Sequence, residues 1–167
     1  MPSNLEIKIA VPSFTEILER LAGCDCRYTA LIRQKDVYYR NEKGLLKLRV
    51  QEKGNELIFY NRDEISSQRK SDYHILHVPD DAEEYFARIF TVDVTVEKVR
   101  QLYMYKNTRI HLDTVTGLGE FLELEAVVTT TLEEAQEEFD FLFRHLELAK
   151  YSSIRKSYSN LLKEKQL

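Results

Sequence analysis

The stretch RIHLDTVTGLGEFLELE, residues 109–125, reads as two strands joined by a glycine turn. Arg109, His111 and Asp113 alternate with Ile110 and Leu112, and Glu123 and Glu125 alternate with Leu122 and Leu124. A period of two puts the polar side chains on one face of a sheet and the aliphatic ones on the other. Thr116-Gly117-Leu118-Gly119 supplies the turn, so the segment predicts an antiparallel hairpin.

The same pattern recurs on either side. Leu5, Ile7, Ile9 and Val11 alternate with Glu6, Lys8 and Ala10. Residues 28–39 read as a strand bent near Asp36. Leu46, Leu48 and Val50 alternate with Lys47, Arg49 and Gln51, and a turn at residues 52–55 leads into a partner strand over 56–61. Further strands are expected over 72–78 and 94–105, where Lys98 and Arg100 share a face. Helices interrupt this series. Ser13-Phe14-Thr15-Glu16 reads as a capping box opening a helix with an apolar stripe of Phe14, Ile17, Leu18 and Leu21. A second helix follows Pro79, with Tyr85, Phe86 and Ile89 as its apolar face. A third spans 132–146, with Phe139, Leu142, Phe143 and Leu146, and a short one closes the chain from 157 to 165. About eight strands with helices between and after them predict an α+β antiparallel domain. Eight strands are enough to close a β-barrel.

Composition narrows the setting. The chain has 167 residues, 43% hydrophobic and 31% charged, with a net charge of −4. That suits a single domain with a sizeable core, here 1–167. The acidic balance disfavours nucleic acid as a partner, and no apolar run reaches the roughly 18 residues of a membrane span. No signal peptide is read at the N-terminus. Cys24 and Cys26 would point to opposite faces of an extended chain, so they are expected as reduced thiols in a cytoplasmic protein rather than as a disulfide or a metal pair.

The charges are sorted by strand. The acids Glu6, Asp113, Glu123 and Glu125 lie on the first and last two long strands, and bases come as pairs, Lys47 with Arg49 and Lys98 with Arg100. Charged faces turned to water would be the ordinary reading of half-buried strands. If the helices cover the apolar faces instead, the charges face inward. Their burial is then tolerable only with a compensating ligand, such as a polyanion on the bases and divalent cations on the carboxylates. No glycine-rich phosphate loop is present, so side chains must do the binding. His111 is read as a hydrogen-bonded barrel residue rather than a metal ligand.

In order and spacing, these segments resemble the CYTH family, the triphosphate tunnel metalloenzymes. Glu6-Ile7-Lys8, Gln34-Lys35-Asp36-Val37-Tyr38, Leu46-Lys47-Leu48-Arg49 and the 109–125 stretch carry the likeness, and Ser71-Asp72-Tyr73 with the tail Ser157–Leu162 resembles the class IV adenylyl cyclase-like branch. The resemblance implies a closed eight-stranded antiparallel barrel, or tunnel, with flanking helices, and Mg²⁺ or Mn²⁺ as cofactor. It implies Glu6, Asp113, Glu123 and Glu125 as metal-site residues, and Glu6, Lys8 and Asp113 as participants in catalysis. Lys8, Lys47, Arg49, Arg62, Arg69, Lys98, Arg100 and Arg109 would hold the substrate, with Arg69 and Lys70 on a loop able to close over it. The substrate would be a nucleoside triphosphate or another triphosphate: ATP cyclised to cyclic AMP and pyrophosphate, or a triphosphatase reaction on inorganic or thiamine triphosphate. A non-catalytic polyphosphate-binding module is the rival. Asn4, where the family pattern has a carboxylate, and Asn61, where many members have a lysine, favour that rival. A homodimer is left open.

Overall fold

A computed structural model describes residues 4–62 and 71–167, with the side chains of residues 4, 61, 62 and 71–73 left out of the description. Eight strands form one sheet: β1 (Asn4–Val11), β2 (Arg27–Tyr39), β3 (Leu45–Gln51), β4 (Asn55–Arg62), β5 (Ser71–Val78), β6 (Val92–Tyr105), β7 (Thr108–Val115) and β8 (Gly119–Val127), in the order β1-β8-β7-β6-β2-β3-β4-β5. Four helices accompany them: α1 (Thr15–Ala22), α2 (Ala82–Ile89), α3 (Leu132–His145) and α4 (Tyr158–Lys165). The α+β class is as the sequence predicts. Closure into a barrel is not: among the described residues no hydrogen-bonded ladder joins β1 to β5. Part of β1's outer edge is instead taken by the tail, where Ile154 N–H donates to the Lys8 carbonyl at 2.7 Å and Ser153 bridges Ile9.

The chain divides into two compact units, and the long strands β2 and β6 contribute to both. The first comprises Met1–Ile32 and Val99–Ser157. Its core is the aliphatic face of β1, β7 and β8, with Ile9, Ile110, Leu112, Leu122 and Leu124 fully buried against Ile17 and Leu21 of α1 and Leu142 of α3. Burial of such side chains contributes roughly 1.5–3 kcal/mol each. The β7–β8 turn needs positive φ at Gly117 (82°) and Gly119 (110°), which favours glycine at both. α3 starts with a side-chain cap, Thr131 accepting from Glu134 N–H at 3.2 Å. α1 does not form the expected capping box. Ser13 Oγ takes the Thr15 N–H at 3.1 Å, one residue too early, while Glu16 turns to Arg20 and Lys150. Leu18, expected in the buried stripe, is half-exposed.

Cys24 and Cys26 are joined by a disulfide with Cα atoms 5.4 Å apart, against the expectation of free thiols. Residues 23–25 form a turn after α1 rather than extended chain, so the two side chains converge. The inference from reduced thiols to a cytoplasmic setting therefore falls away.

The second unit comprises Arg33–Lys98 and Tyr158–Leu167. Val37, Tyr39, Leu46 and Leu48 are buried against Ala82, Phe86 and Phe90. The expected face of α2 is thus rotated: Tyr85 and Ile89 are exposed, and the packed series steps by four from Ala82. Among the described residues, no helix is long and apolar enough to cross a membrane.

Candidate active site

In the first unit the face opposite the aliphatic core carries the charges, and strand register lays them in rows. Glu6 lies opposite Glu125, which lies opposite Arg109; Lys8 lies opposite Glu123, which lies opposite His111. Cross-strand partners on one face have Cβ atoms about 5 Å apart, so each row is a set of near neighbours. Glu123 is the hub. Its carboxylate is 3.7 Å from Lys8 Nζ, 3.6 Å from Arg100 Nη2 and 3.9 Å from His111 Nδ1. Lys8 Nζ also donates to the Lys156 carbonyl at 3.1 Å. Glu125 is 3.9 Å from Arg109 Nη1.

Asp113 is fully buried, and Arg100 grips it with a forked pair, Nε to Oδ1 at 2.7 Å and Nη2 to Oδ2 at 2.8 Å. This geometry is the strongest form of guanidinium–carboxylate bond. Asp113 thereby sets the plane of Arg100, whose Nη2 faces Glu123.

His111 departs from its sequence reading. It is 6% exposed, and its Nδ1 is buried without a hydrogen-bond partner among the described residues. The expected hydrogen-bonded barrel histidine is therefore not what stands there.

The second unit carries its own charged face. Asp36 lies opposite Arg49 in the β2–β3 register, and Tyr38 lies opposite Lys47. Asp36 accepts from Lys47 Nζ at 2.9 Å and from Arg49 Nε and Nη2, both at 2.8 Å. Burial alone would push the Asp36 carboxyl up. The Arg49 hydrogen bonds and the Lys47 and Arg49 charges outweigh it and hold the pKa down at about 2. Burial opposes the Lys47 charge, but Asp36 raises its pKa overall. Lys47 Nζ also stands 5.5 Å from the Tyr38 ring and 5.3 Å from the Tyr60 ring, within cation–π range of both. Lys98, half-buried, lies over the Tyr158 ring at 5.6 Å.

A stability prediction follows from Asp36. Its folded pKa is below the usual 3.8, so its contribution is present above about pH 4 and is lost as pH falls through about 2. The shift is worth on the order of 2 kcal/mol. Urea unfolding between pH 6 and 2 should show the gap between wild type and Asp36→Asn narrowing toward acid. A constant gap would mean that the ion pairs do not hold Asp36 ionised.

The expected site residues thus fall into two sets. Glu6, Lys8, Arg100, Arg109, Asp113, Glu123 and Glu125 belong to the charged face of the first unit; Lys47, Arg49 and Lys98 belong to the second. Arg62 closes β4, with its side chain outside the description, and Arg69 and Lys70 lie outside the described residues. Asp36 was not chosen from sequence as a site residue. Its signal was its place at the centre of the Gln34–Tyr38 stretch that carries the family likeness, two residues from both Gln34 and Tyr38 on one strand face.

The donor chemistry of the first unit suits a hard divalent cation, since its acceptors are carboxylates. No group of three His, Cys, Asp or Glu side chains is gathered as a ready metal cage among the described residues. Mg²⁺ and Mn²⁺ are commonly held by one or two carboxylates, with water and phosphate oxygens completing the shell, and the Glu6–Glu125 juxtaposition fits that mode.

The family model described as CYTH domain matches residues 3–158. A protein of Methanocaldococcus jannaschii named "Putative adenylate cyclase" is 27% identical over 171 residues, covering 95% of this chain and 97% of that one. Among solved structures, the PH1012 protein of Pyrococcus horikoshii OT3 is 26% identical with a TM-score of 0.72, over 95% of this chain and 99% of that one. A structure from Vibrio parahaemolyticus, named in the same terms as the first relative, shares the fold at 17% identity and a TM-score of 0.65, over 95% of this chain and 97% of that one.

Proposed function

This chain belongs to the CYTH domain family, and from that premise we propose that it is a metal-dependent enzyme that acts on a triphosphate, with ATP converted to cyclic AMP and pyrophosphate as its leading reaction. The observation that supports this most is the ordered charged face of the first unit. There Glu6, Glu123 and Glu125 stand in register with Lys8, Arg109 and His111, and Arg100 is oriented by a buried Asp113. Such a face pairs acceptors for a cation with donors for phosphate, which a merely solvated strand face has no need to do.

In this reading Glu6, Glu123 and Glu125 hold Mg²⁺ or Mn²⁺, and the bound cation would neutralise phosphate charge and acidify the attacking hydroxyl. Lys8, Arg100 and Arg109 orient phosphate oxygens and stabilise the charge that builds on the leaving pyrophosphate. Asp113 acts through Arg100 by fixing its fork. Lys47 and Arg49 of the second unit, and with them Lys98, are assigned to phosphate oxygens as the family likeness implies; Asp36 orients the first two. For cyclisation, the ribose 3′-oxygen attacks the α-phosphorus, its proton is lost, and the bond to pyrophosphate breaks. ATP as substrate also makes an intracellular setting part of the proposal.

The test is a product analysis. Purified protein is incubated with ATP, inorganic tripolyphosphate or thiamine triphosphate, each with Mg²⁺ or Mn²⁺, with and without EDTA. Cyclic AMP with equimolar pyrophosphate, abolished by EDTA, is expected. Orthophosphate release would replace the cyclase by a triphosphatase on the same residues. Tripolyphosphate binding by calorimetry without turnover of any substrate would overturn the enzymatic reading in favour of a binding module.

A further inference from the structure

We propose that the Cys24–Cys26 pair is a thiol–disulfide exchange site, opened by a low-molecular-weight thiol of the glutathione class and closed again by the corresponding disulfide, with the fold intact in both states. The inference stands apart from the triphosphate reading and does not depend on it.

A single residue, Asp25, separates the two cysteines. The stabilisation a bridge gives by restricting the unfolded chain falls with the length of the loop it closes, and this loop is very short. The chain keeps the two sulfurs close whether it is folded or not, so folding does little to protect the bridge, and its opening does not wait for unfolding. Both cysteines are half-buried and Asp25 is exposed, which leaves the bridge within reach of a small thiol. The turn has contacts of its own. Gly23 N–H donates to the Arg20 carbonyl at 3.1 Å and Cys24 N–H to the Leu21 carbonyl at 3.3 Å, and His145 Nε2 lies 2.7 Å from the Arg20 carbonyl, tying the end of α1 to α3. They hold a turn in which the two Cα atoms are 5.4 Å apart, so the dithiol stays placed to close again. The reduced state also has a partner ready. Cys24 Sγ lies 3.4 Å from the Leu21 carbonyl oxygen, where a bridged sulfur has no proton to offer and a thiol donates one. That carbonyl, at the C-terminal end of α1, and the neighbouring Asp25 carboxylate both disfavour a thiolate. The attacking thiolate therefore comes from outside. It forms a mixed disulfide with one cysteine and displaces the other, which takes up a proton. A second small thiolate then attacks the small-molecule sulfur of the mixed disulfide, frees the remaining cysteine as a thiol and leaves as the small disulfide. The bridge gains two electrons and two protons, and the two small thiols lose them.

The experiment treats the folded full chain, purified without reductant, with reduced glutathione, traps thiols with iodoacetamide and counts them by intact mass. No alkylation before reduction and two alkylated cysteines after it, in native buffer, are expected. Oxidised glutathione should restore the bridge. The rate of reduction should stay within about two-fold when urea is added below the unfolding transition, because opening does not pass through the unfolded chain. The thermal midpoint of the reduced protein should lie within about 3 °C of the oxidised one. Cys24→Ser should instead accumulate a mixed disulfide with glutathione at Cys26, which locates the exchange. Alkylation that requires denaturing urea, or a reduction rate that climbs with urea as unfolding does, would make the bridge a sealed structural one and overturn the proposal. A fall in the midpoint of about 8 °C or more on reduction would make it a staple of the fold and overturn it equally. Two thiols open to alkylation from the outset, which oxidised glutathione fails to close, would overturn it as well.

Discussion

Asp113→Ala is expected to lower the free energy of unfolding by roughly 3–5 kcal/mol, the range found when one partner of a buried ion pair is removed. Asp113 has no exposed surface, and the Arg100 side chain is only 16% exposed. Truncating the carboxylate therefore leaves a guanidinium mostly out of water with its forked partner gone. The remaining acid, Glu123, is 3.6 Å from Arg100 Nη2 and is itself engaged by neighbours. A double-mutant cycle separates this account from simple cavity formation. Arg100→Met removes the stranded charge, so Asp113→Ala in that background should cost several kcal/mol less than in wild type. Urea unfolding of the four proteins measures the difference. If the two effects merely add, the pair contributes nothing beyond packing, and Asp113 does not orient Arg100 through charge.

Strand positions were legible because alternation needs only local sequence. Leu5 to Val11, the 109–125 hairpin and the Leu46 to Gln51 strand all lie where the period of two puts them. The split of each strand into two faces followed as well: in the first unit the Leu and Ile residues pack under α1 and α3 and Glu123 and Glu125 take the other face, and in the second unit Leu46 and Leu48 pack against α2 and Lys47 and Arg49 take the other face. Cross-strand register is what the sequence withholds. Nothing local says that Asp36 is in register with Arg49 and gathers both Arg49 and Lys47 across β2 and β3, or that Arg100 closes on Asp113, thirteen residues on. The sorted charges were read as awaiting an external ligand, but much of that charge is already matched inside each face. The short helix α2 failed for another reason. Over eight residues, a stripe through Tyr85 and Ile89 is as good a helical pattern as one through Ala82 and Phe86, and Phe90 beyond the helix decides between them. The cysteines turned on whether residues 23–26 were strand or turn, a boundary question on which sequence periodicity is weak.

Internal matching also shapes how the charged face of each unit would meet phosphate. Arg100 and Arg49 are held in place by Asp113 and Asp36 before any ligand arrives, so ordering them on binding costs little. Glu125 is different. Its carboxylate lies opposite Glu6, a like charge, and its arginine neighbour is 3.9 Å away and half-exposed. Two carboxylates facing each other across a strand pair repel, and a divalent cation relieves that repulsion.

Glu125→Gln, which keeps the shape and removes the charge, is accordingly expected to reduce turnover by about 10³-fold or more, equivalent to about 4 kcal/mol of lost transition-state stabilisation. Removing one of two repelling charges should leave folding stability unchanged or slightly raised, which sets this variant apart from Asp113→Ala. Tripolyphosphate should still bind, within about ten-fold of wild type, because the Lys and Arg side chains proposed to take phosphate are unaltered. The apparent Mn²⁺ requirement for turnover should rise in step with the activity loss. Calorimetry, thermal unfolding and product analysis on one preparation read all three quantities. Turnover retained near the wild-type level would place the metal elsewhere than on the Glu6–Glu125 row, and loss of binding together with turnover would make Glu125 a residue that organises the phosphate donors instead.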